Sequence, residues 1–520
     1  MKTRCALQAS SFPMKTFRVN VAGILLVALQ ATVGLAQPAD VPKTNPMKVY
    51  MHYMPWFETP ATLGGSDWGY HWEFNNRDPN IVDATGKRQI ASHYYPKIGP
   101  YASSDPDVIE YHLLLMKLSG VDGVMIDWYG VQGTNGDIER LLNNSNALIA
   151  KVDDFGLRFG VVLEDRFSTV SREDLTPDIN KGKANMAYLR DHYFNNPKYI
   201  RQNAAADPLV GVFGPIRFQI PSQWTQILAE AGEEVEFITL WYEKNDSGEH
   251  ADGEYAWIYE EENLDNHLTH QSNFYRLRAP SLGTAGGVAY PGFNDYYQEG
   301  GVGNVVSFEI PHEGGQTLDA MLNLANTYSE NIDFLQLATF NDFGEGTMFE
   351  PTVESGFDYL KKIQTFTGTP YGEQELQLVY RLYMARKRYA GNEPRQTSLD
   401  QVADFLSALE IAQATSLLND VAPHGDYDGD GNVDEGDHGA WRAALGAQTV
   451  LVGSGADGNY DGIVDAADYV VWRKNLGPGD GGARSNTHSV PEPTSGVLLG
   501  FAAVALYCRQ IINASRGSQQ

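Results

Sequence analysis

Phe334-Leu335-Gln336-Leu337-Ala338-Thr339-Phe340-Asn341-Asp342-Phe343-Gly344-Glu345-Gly346-Thr347 reads as a strand that ends in two carboxylates set among glycines and aromatic rings. A short run so largely apolar suits a strand covered on both faces. Carboxylates at the end of such a strand are costly to desolvate, so packing alone rarely selects them. Paired acids near aromatic rings are the equipment of glycosidic cleavage, where one acid protonates the leaving oxygen and another assists. The competing reading is a structural pair that caps the following helix.

Working outward, short apolar runs alternate with amphipathic stretches from about residue 47 to residue 370. The runs are Lys48–Trp56, Gly120–Tyr129, Arg158–Asp165, Pro208–Pro215, Phe237–Glu243, Gly286–Phe293, Val305–Ile310 and Phe334–Phe340. Between them lie helical patterns at Asp107–Leu118, Ile138–Val152, Ala184–Tyr193, Ser222–Ala231 and Leu318–Thr327. This alternation predicts an α/β protein, a (β/α)8 TIM barrel spanning 47–370. A doubly wound sheet is disfavoured because no glycine-rich phosphate turn follows the first strand. Barrel active sites lie at the C-terminal ends of the strands. Acids and rings gather there: Trp56, Asp127-Trp128-Tyr129, Glu164-Asp165-Arg166, Trp241-Tyr242-Glu243, then Asp342 and Glu345.

The chain has 520 residues, ample for a large core. Its net charge of −28 argues against binding nucleic acid through charge. Lys15 and Arg18 precede the apolar run Val21–Leu29, and Gly34-Leu35-Ala36 offers a small-residue cleavage site, so 1–36 reads as a secretory signal peptide. Its two cysteines, Cys5 and Cys508, fall in the signal and in the tail, which leaves the mature globular part without a disulfide.

Residues 371–420 read as a helical extension or linker, with helices at Glu373–Tyr389 and Ser398–Leu418 parted by Gly391-Asn392-Glu393-Pro394-Arg395. A repeat occupies 424–478. Asp426, Asp428, Asp430, Asn432, Asp434 and Asp437 fall at loop positions 1, 3, 5, 7, 9 and 12, with Gly431 at position 6. Asp457, Asn459, Asp461, Ile463, Asp465 and Asp468 repeat the pattern around Gly462, and Trp441-Arg442 recurs as Trp472-Arg473. Alternating oxygen ligands about a glycine turn suit Ca2+, with position 7 offering its backbone carbonyl. Position 12 is Asp, and one helix follows each loop. The pattern resembles a type I dockerin, a small all-α calcium-binding module. That resemblance implies structural Ca2+ and a cohesin-like partner; a calcium-stiffened spacer without a partner is the alternative.

A glycine-rich linker, 479–489, leads to Val490-Pro491-Glu492-Pro493, the apolar stretch Val497–Tyr507 and basic Arg509 and Arg516. The tail 490–520 resembles a PEP-CTERM sorting signal, its apolar part short of the roughly twenty residues a span needs. This implies transient membrane association during export. The expected location is secreted, or at the envelope or surface of a bacterium.

The barrel segment carries its own resemblance. Tyr94-Tyr95-Pro96-Lys97-Ile98-Gly99-Pro100-Tyr101-Ala102-Ser103-Ser104-Asp105-Pro106-Asp107-Val108-Ile109-Glu110-Tyr111-His112 resembles the first barrel loop and helix of glycoside hydrolase family 99, the endo-α-mannosidases. Tyr53-Met54-Pro55-Trp56 with His71-Trp72, Asp127-Trp128-Tyr129, Pro291-Gly292-Phe293-Asn294-Asp295 after the sixth expected strand, and Asn341–Thr347 extend it in order. The last run departs from the family's N-E-W-H-E-G-T: Asp342 replaces the first Glu, and Phe343-Gly344 replaces W-H. Its N-D-x-G-E form is closer to the related family 71, the α-1,3-glucanases.

The resemblance implies a polysaccharide substrate, Glu345 as general acid/base, and Asp342 as the base that takes the proton of the sugar's own 2-hydroxyl. No cofactor is implied for catalysis. Asp is one methylene shorter than Glu, about 1.5 Å of reach, so water activation by Asp342 with inversion stays an open alternative. Tyr53, Trp56, His71, Trp72, Trp128, Tyr129, Tyr242 and Asn341 are candidates to stack on or hydrogen-bond sugar rings. Glu164 is a candidate to hold a sugar hydroxyl, its alternative being a salt bridge with Arg166; Glu243 and Glu309 are further acids. The leading reading is a secreted, endo-acting glycoside hydrolase on an α-linked polysaccharide, an α-mannan or related glycan. A non-catalytic carbohydrate-binding or envelope protein, and a glycosidase of other specificity (α-1,3-glucan or pentoside), are the alternatives.

Overall fold

A computed structural model describes residues 37–260 and 266–476. The expected signal peptide, the linker and the sorting tail lie outside the described residues. Eight parallel strands form one sheet: β1 (Lys48–Tyr53), β2 (Gly123–Trp128), β3 (Arg158–Leu163), β4 (Asp207–Val212), β5 (Glu236–Leu240), β6 (Gly253–Tyr255), β7 (Thr284–Ala289) and β8 (Phe334–Leu337). Each pairs with its neighbour in chain order, and β8 pairs with β1, Lys48 opposite Phe334, which closes the barrel. A short antiparallel strand, Arg201–Gln202, folds back on the start of β4.

The longer helices of the barrel are α1 (Pro106–Leu118), α2 (Ile138–Val152), α3 (Ile179–His192), α4 (Pro221–Leu228), α5 (His267–Asn273), α6 (Gln316–Thr327) and α7 (Asp358–Thr367). Local chemistry starts them. Asp105 accepts the Asp107 amide at 3.0 Å while Pro106 presets the first turn of α1. Side-chain alternation sorts each strand into two faces. Tyr50, Met125, Val162, Leu209, Ile238, Tyr255 and Phe334 meet inside the barrel. Val49, Met51, Val124, Ile126, Val161 and Leu163 join the layer under the helices. The interior is tight: a Cβ on Gly286 would lie 2.7 Å from both Phe334 and Tyr255.

Two expectations need correction. Residues 305–310 form no strand; Ile310 alone bridges to Phe293, and Val305 is 61% exposed. The missing strand is β6, three residues long, reached from β5 through the short helical turn Lys244–Ser247. Gly253-Glu254-Tyr255 has no apolar run to announce it. Gly286–Phe293 therefore contains the seventh strand, and the Asn294-Asp295 pair follows the seventh strand, not the sixth.

Beyond α7 the extension holds three helices where two were expected: α8 (Glu373–Arg388), α9 (Glu393–Ser407) and α10 (Ile411–Val421). Pro394 sits in the first turn of α9, where a proline is tolerated, so it opens a helix and does not separate two. The second break comes at Leu409, whose φ is +62°. The guanidinium of Arg386 holds both oxygens of Glu110 at 2.8 and 2.7 Å and reaches Asp400 at 2.8 Å, tying α8 to α1 and α9.

In the repeat, each loop is followed by one helix, α11 (Glu435–Ala444) and α12 (Ala466–Asn475), capped by Asp434 and Asp465. The recurring tryptophans cross over. Trp441 Nε1 donates to the Asp465 carbonyl at 2.8 Å, and Trp472 Nε1 to the Asp434 carbonyl at 2.7 Å. Among the described residues no helix is long and apolar enough to cross a membrane.

Candidate active site

The stretch after β8 folds back over the barrel mouth because its polar side chains bond to its own backbone. Thr339 Oγ1 accepts the Asp342 amide at 2.9 Å, and Asp342 Oδ1 accepts the Glu345 amide at 3.0 Å. Gly346 turns at φ +68°, and a Cβ there would lie 2.6 Å from the Asn294 carbonyl. Asn341 anchors the run to the end of β1: it accepts from the Met54 amide at 2.9 Å and donates to the Met54 carbonyl at 3.0 Å. Tyr101 links Asn341 to buried Glu350 at 3.2 and 2.6 Å. Asn341 is thus a buried brace, which corrects its reading as a sugar contact.

Four carboxyl groups converge at the mouth: Asp127 from β2, Glu164 after β3, and Asp342 and Glu345 after β8. Burial pushes all four up; repulsion from other members of the cluster adds to it at Asp127, Glu164 and Asp342, and the charge of Asp295 adds to it at Glu345. Asp127 and Asp342 stand well above the usual carboxylate range, and Glu164 is pushed up to about 7. Opposing influences act as well. The Arg166 guanidinium bonds Glu164 at 2.9 Å and favours its ionised form, and backbone amides of Gly344 and Glu345 do so for Asp342. Glu345 is raised by burial and held down by Tyr297, whose hydroxyl donates to Oε1 at 2.9 Å. Like charges this close do not all ionise near neutrality, so the cluster retains protons there. A retained proton is what an acid catalyst needs.

The remaining candidates divide into rings packed away from the mouth and rings that stay at it. Trp128 follows Ile126 on the outer face and is 1% exposed, packed on Tyr188 of α3 and on Tyr193 just past its end. Tyr53 is sealed, with its hydroxyl 3.0 Å from His112 Nδ1. Trp72 stacks on Phe57 and donates to the Tyr101 carbonyl at 2.9 Å. These three are packing residues, which corrects their reading as sugar platforms. Asp127, one residue before Trp128, points inward; alternation from Met125 could have singled it out.

Trp56 and His71 stack face to face with centroids 4.0 Å apart, and burial holds the imidazole neutral, pushed down to about 3. Tyr129 packs on Phe167 and borders Asp127 and Glu164. Tyr242 is 54% exposed beside Trp241 and Phe274. Glu243 and Glu309 are exposed and stand apart from the buried cluster. Glu164 does form the salt bridge with Arg166 and is still part of the cluster. Asp165 is different: it is spent on the amides of Ile216, Arg217 and Phe218. Sequence reading missed Tyr297, for which no local signal exists. It also missed buried His52, pushed down to about 3 by burial and set edge-on to Trp257.

Comparison with known proteins bears on this mouth. The Glycosyl hydrolase family 99 model matches residues 45–267. Glycoprotein endo-alpha-1,2-mannosidase of Xenopus laevis is 24% identical over 197 residues, 36% of this chain and 41% of that protein. The Mus musculus enzyme of the same name is 23% identical over 209 residues, 38% of this chain and 44% of that one. The chain therefore spans less than half the length of the curated relatives it matches. Among solved structures, an endo-alpha-mannosidase from Bacteroides thetaiotaomicron is 16% identical with a TM-score of 0.47, over 64% of this chain and 98% of that one. The family match stops before Asp342 and Glu345. Residues 45–267, the larger part of the barrel, are thus similar to Glycosyl hydrolase family 99.

Proposed function

We propose that this protein is a secreted, endo-acting glycoside hydrolase that cleaves an α-linked polysaccharide, an α-mannan or related glycan, with Glu345 as general acid/base and Asp342 as its partner. The observation that carries the reading is the buried carboxyl cluster at the barrel mouth, in which Glu345 keeps partial access to solvent. A barrel that only bound sugar would gain nothing from four adjoining acids whose burial is costly. The substrate class follows the relatives, which are named for endo-α-mannosidase activity.

Protonated Glu345 gives its proton to the glycosidic oxygen as the bond to the anomeric carbon breaks. Asp342 is 4% exposed, and its Oδ1 is occupied by the Glu345 amide, so Oδ2 is left to act as base. It takes the proton of the sugar's 2-hydroxyl, whose oxygen closes on the anomeric carbon. Water then opens that ring: Glu345, now ionised, accepts a proton from the water as it bonds to the anomeric carbon, and Asp342 returns its proton to the departing 2-oxygen. Glu164, with Arg166 beside it, and Tyr129 are placed to hold hydroxyl groups, and the Trp56–His71 stack to cover a ring face. If Asp342 activates water directly, the configuration inverts instead.

The loops at 426–437 and 457–468 fit a hard cation in part. Oxygens of Asp426, Asp428 and Asp430 lie within 4.8 Å of one another. Asp437 and Asp468 instead accept backbone amides, Asp437 those of Tyr427 and Asp434 and Asp468 those of Gly458 and Asp465. Ca2+ would be held by Asp426, Asp428, Asp430, the Asn432 carbonyl and Asp434, with Asp437 turning toward it; Asp457, Asn459, Asp461, the Ile463 carbonyl, Asp465 and Asp468 are the second set. It would supply structural crosslinking. A dockerin-like role with a cohesin-like partner, and export through the C-terminal sorting tail to a bacterial surface, complete the proposal.

The test incubates purified protein with a panel of α-mannans and α-1,3-glucans beside Glu345→Gln. Product from the wild type alone supports the assignment; no product on any glycan, or equal product from the variant, sinks it. The anomeric configuration of the first product, read by NMR, separates retention from inversion.

A further inference from the structure

The loop that follows β7 is laced to the loop that carries Glu345. The Asn294 amide donates to the Glu345 carbonyl at 2.9 Å, and the Tyr296 amide to the Gly344 carbonyl at 2.8 Å. This brings the Tyr297 hydroxyl to Glu345 Oε1 at 2.9 Å, while the Tyr297 amide is held by Asp295 Oδ1 at 2.8 Å. The Tyr297 ring rests on Phe74, with centroids 5.5 Å apart.

Phe74 is itself a wedge. It adopts φ +43°, uncommon for a bulky residue. A Cβ on Gly300 would lie 2.5 Å from its ring, and a Cβ on Gly344 would lie 2.7 Å from its Cζ. Gly344 is one of the residues at which the run leaves the family 99 motif. No left-handed φ demands glycine there; the volume beside it is taken by Phe74. The departure at Gly344 and the seat of Tyr297 are therefore one structural unit.

We propose that Tyr297 is the positioning residue of this chain's acid catalyst: by donating to Oε1 of Glu345 it leaves Oε2 as the oxygen that carries and delivers the proton. The inference rests on the reading of Glu345 as general acid/base. Tyr297 donates its hydroxyl hydrogen and keeps it throughout. The proton on Oε2 passes to the glycosidic oxygen, and Oε2 recovers one from the attacking water. A hydrogen bond to a carboxylate is stronger once the carboxylate is charged. Tyr297 thus opposes burial and the neighbouring charges of Asp342, Asp295, Asp127 and Glu164, alongside the Arg166 guanidinium.

Tyr297→Phe keeps the ring on Phe74 and removes the bond. The alkaline limb of kcat/KM should move up by about one pH unit. With it, kcat should fall about tenfold or more, and KM stay within about twofold. Gly344→Ala tests the same unit from the other side by pushing Phe74 off its seat; its alkaline limb should move the same way. Melting curves of both variants establish that they fold. An alkaline limb unmoved in both, with Glu345→Gln inactive, overturns the role of Tyr297 and leaves Glu345 in place. A Glu345→Gln variant as active as the wild type overturns the reading of Glu345 instead.

Discussion

Two regions of this molecule are rich in aspartate and glutamate, and they treat the same side chains in opposite ways. At the barrel mouth, Asp127, Glu164, Asp342 and Glu345 converge from three strands, and burial pushes each above its ordinary range. In the loops at 426–437 and 457–468, Asp428, Asp430, Asn459, Asp461 and Asp465 are exposed, and several close turns on their own backbone amides. Carboxylates within one loop are brought together by local chain geometry: Asp428, Asp430, Asp461 and Asp465 stay wet, while Asp426, Asp437, Asp457 and Asp468 are buried but satisfied by hydrogen bonds within the module or from the helix beside it. Those at the mouth are brought together by strands far apart in sequence and are dry. The first arrangement suits a cation; the second stores protons.

The largest effect that would test this contrast is on catalysis. Asp342→Asn preserves an oxygen for the Glu345 amide but cannot act as base. Its kcat should fall about a hundredfold to ten-thousandfold, and that of Glu345→Gln by a comparable factor. Initial rates on α-mannan give the answer, and a fall below tenfold in Asp342→Asn would reassign the base to Asp127 or Glu164. Calcium removal should act on the other region. With free Ca2+ at a hundred times Kd, chelation withdraws about 2.7 kcal/mol from the repeat. Hydrogen exchange over 424–476 should rise while the barrel strands stay protected; no change with chelator would remove the calcium assignment.

A smaller effect is the dependence of stability on pH, and the two regions should differ in its sign. Glu164 has its folded pKa raised to about 7 from 4.5. Between those values the folded state binds more protons than the unfolded chain, so stability falls as pH rises through that window. The mouth acids should make the barrel about 1–3 kcal/mol less stable at pH 8 than at pH 5. Calcium-loaded loops should respond in reverse, because protonation below about pH 4 removes their ligands. Denaturant melts at about pH 3.5, 5 and 8, with and without Ca2+, resolve the two slopes. Glu164→Gln should flatten the barrel's slope, and an unaltered slope would place the titrating group elsewhere.

Much of this was legible in the sequence, for reasons that particular residues make plain. Seven of the eight strands announced themselves as apolar runs because both faces are covered. β6 did not: Gly253-Glu254-Tyr255 has one apolar side chain, and its place is dictated by its neighbours. Strand ends overran in the reading because the aromatic residues that follow, such as Trp56 and Phe340, are as apolar as strand residues. The motif acids could be found because buried strand ends rarely carry charge. Tyr53 and Trp128 were misjudged because a ring at a strand end reads the same whether it faces the mouth or the helices. Only strand parity decides that. Tyr297 was out of reach, since its meeting with Glu345 depends on how two loops cross.

The smallest effect lies within the repeat and asks whether its two halves are equivalent. Trp441 and Trp472 occupy matching positions, and each donates to the carbonyl of the ninth residue in the other's loop. Sequence symmetry predicts equal contributions. Burial does not: both rings pack on His438 and Tyr469, but Trp472 is 2% exposed whereas Trp441 is only partly covered. A carbonyl stranded in a buried place loses its partner without gaining water, while a wet one is rehydrated. Trp472→Phe should therefore cost about 2 kcal/mol and Trp441→Phe about 1 kcal/mol or less. Hydrogen exchange at the α11 and α12 amides in calcium-loaded protein measures both. Equal losses would mean that the repeat opens as a unit in which water reaches both carbonyls alike, and the contrast between wet and dry acids would then have no counterpart inside the module.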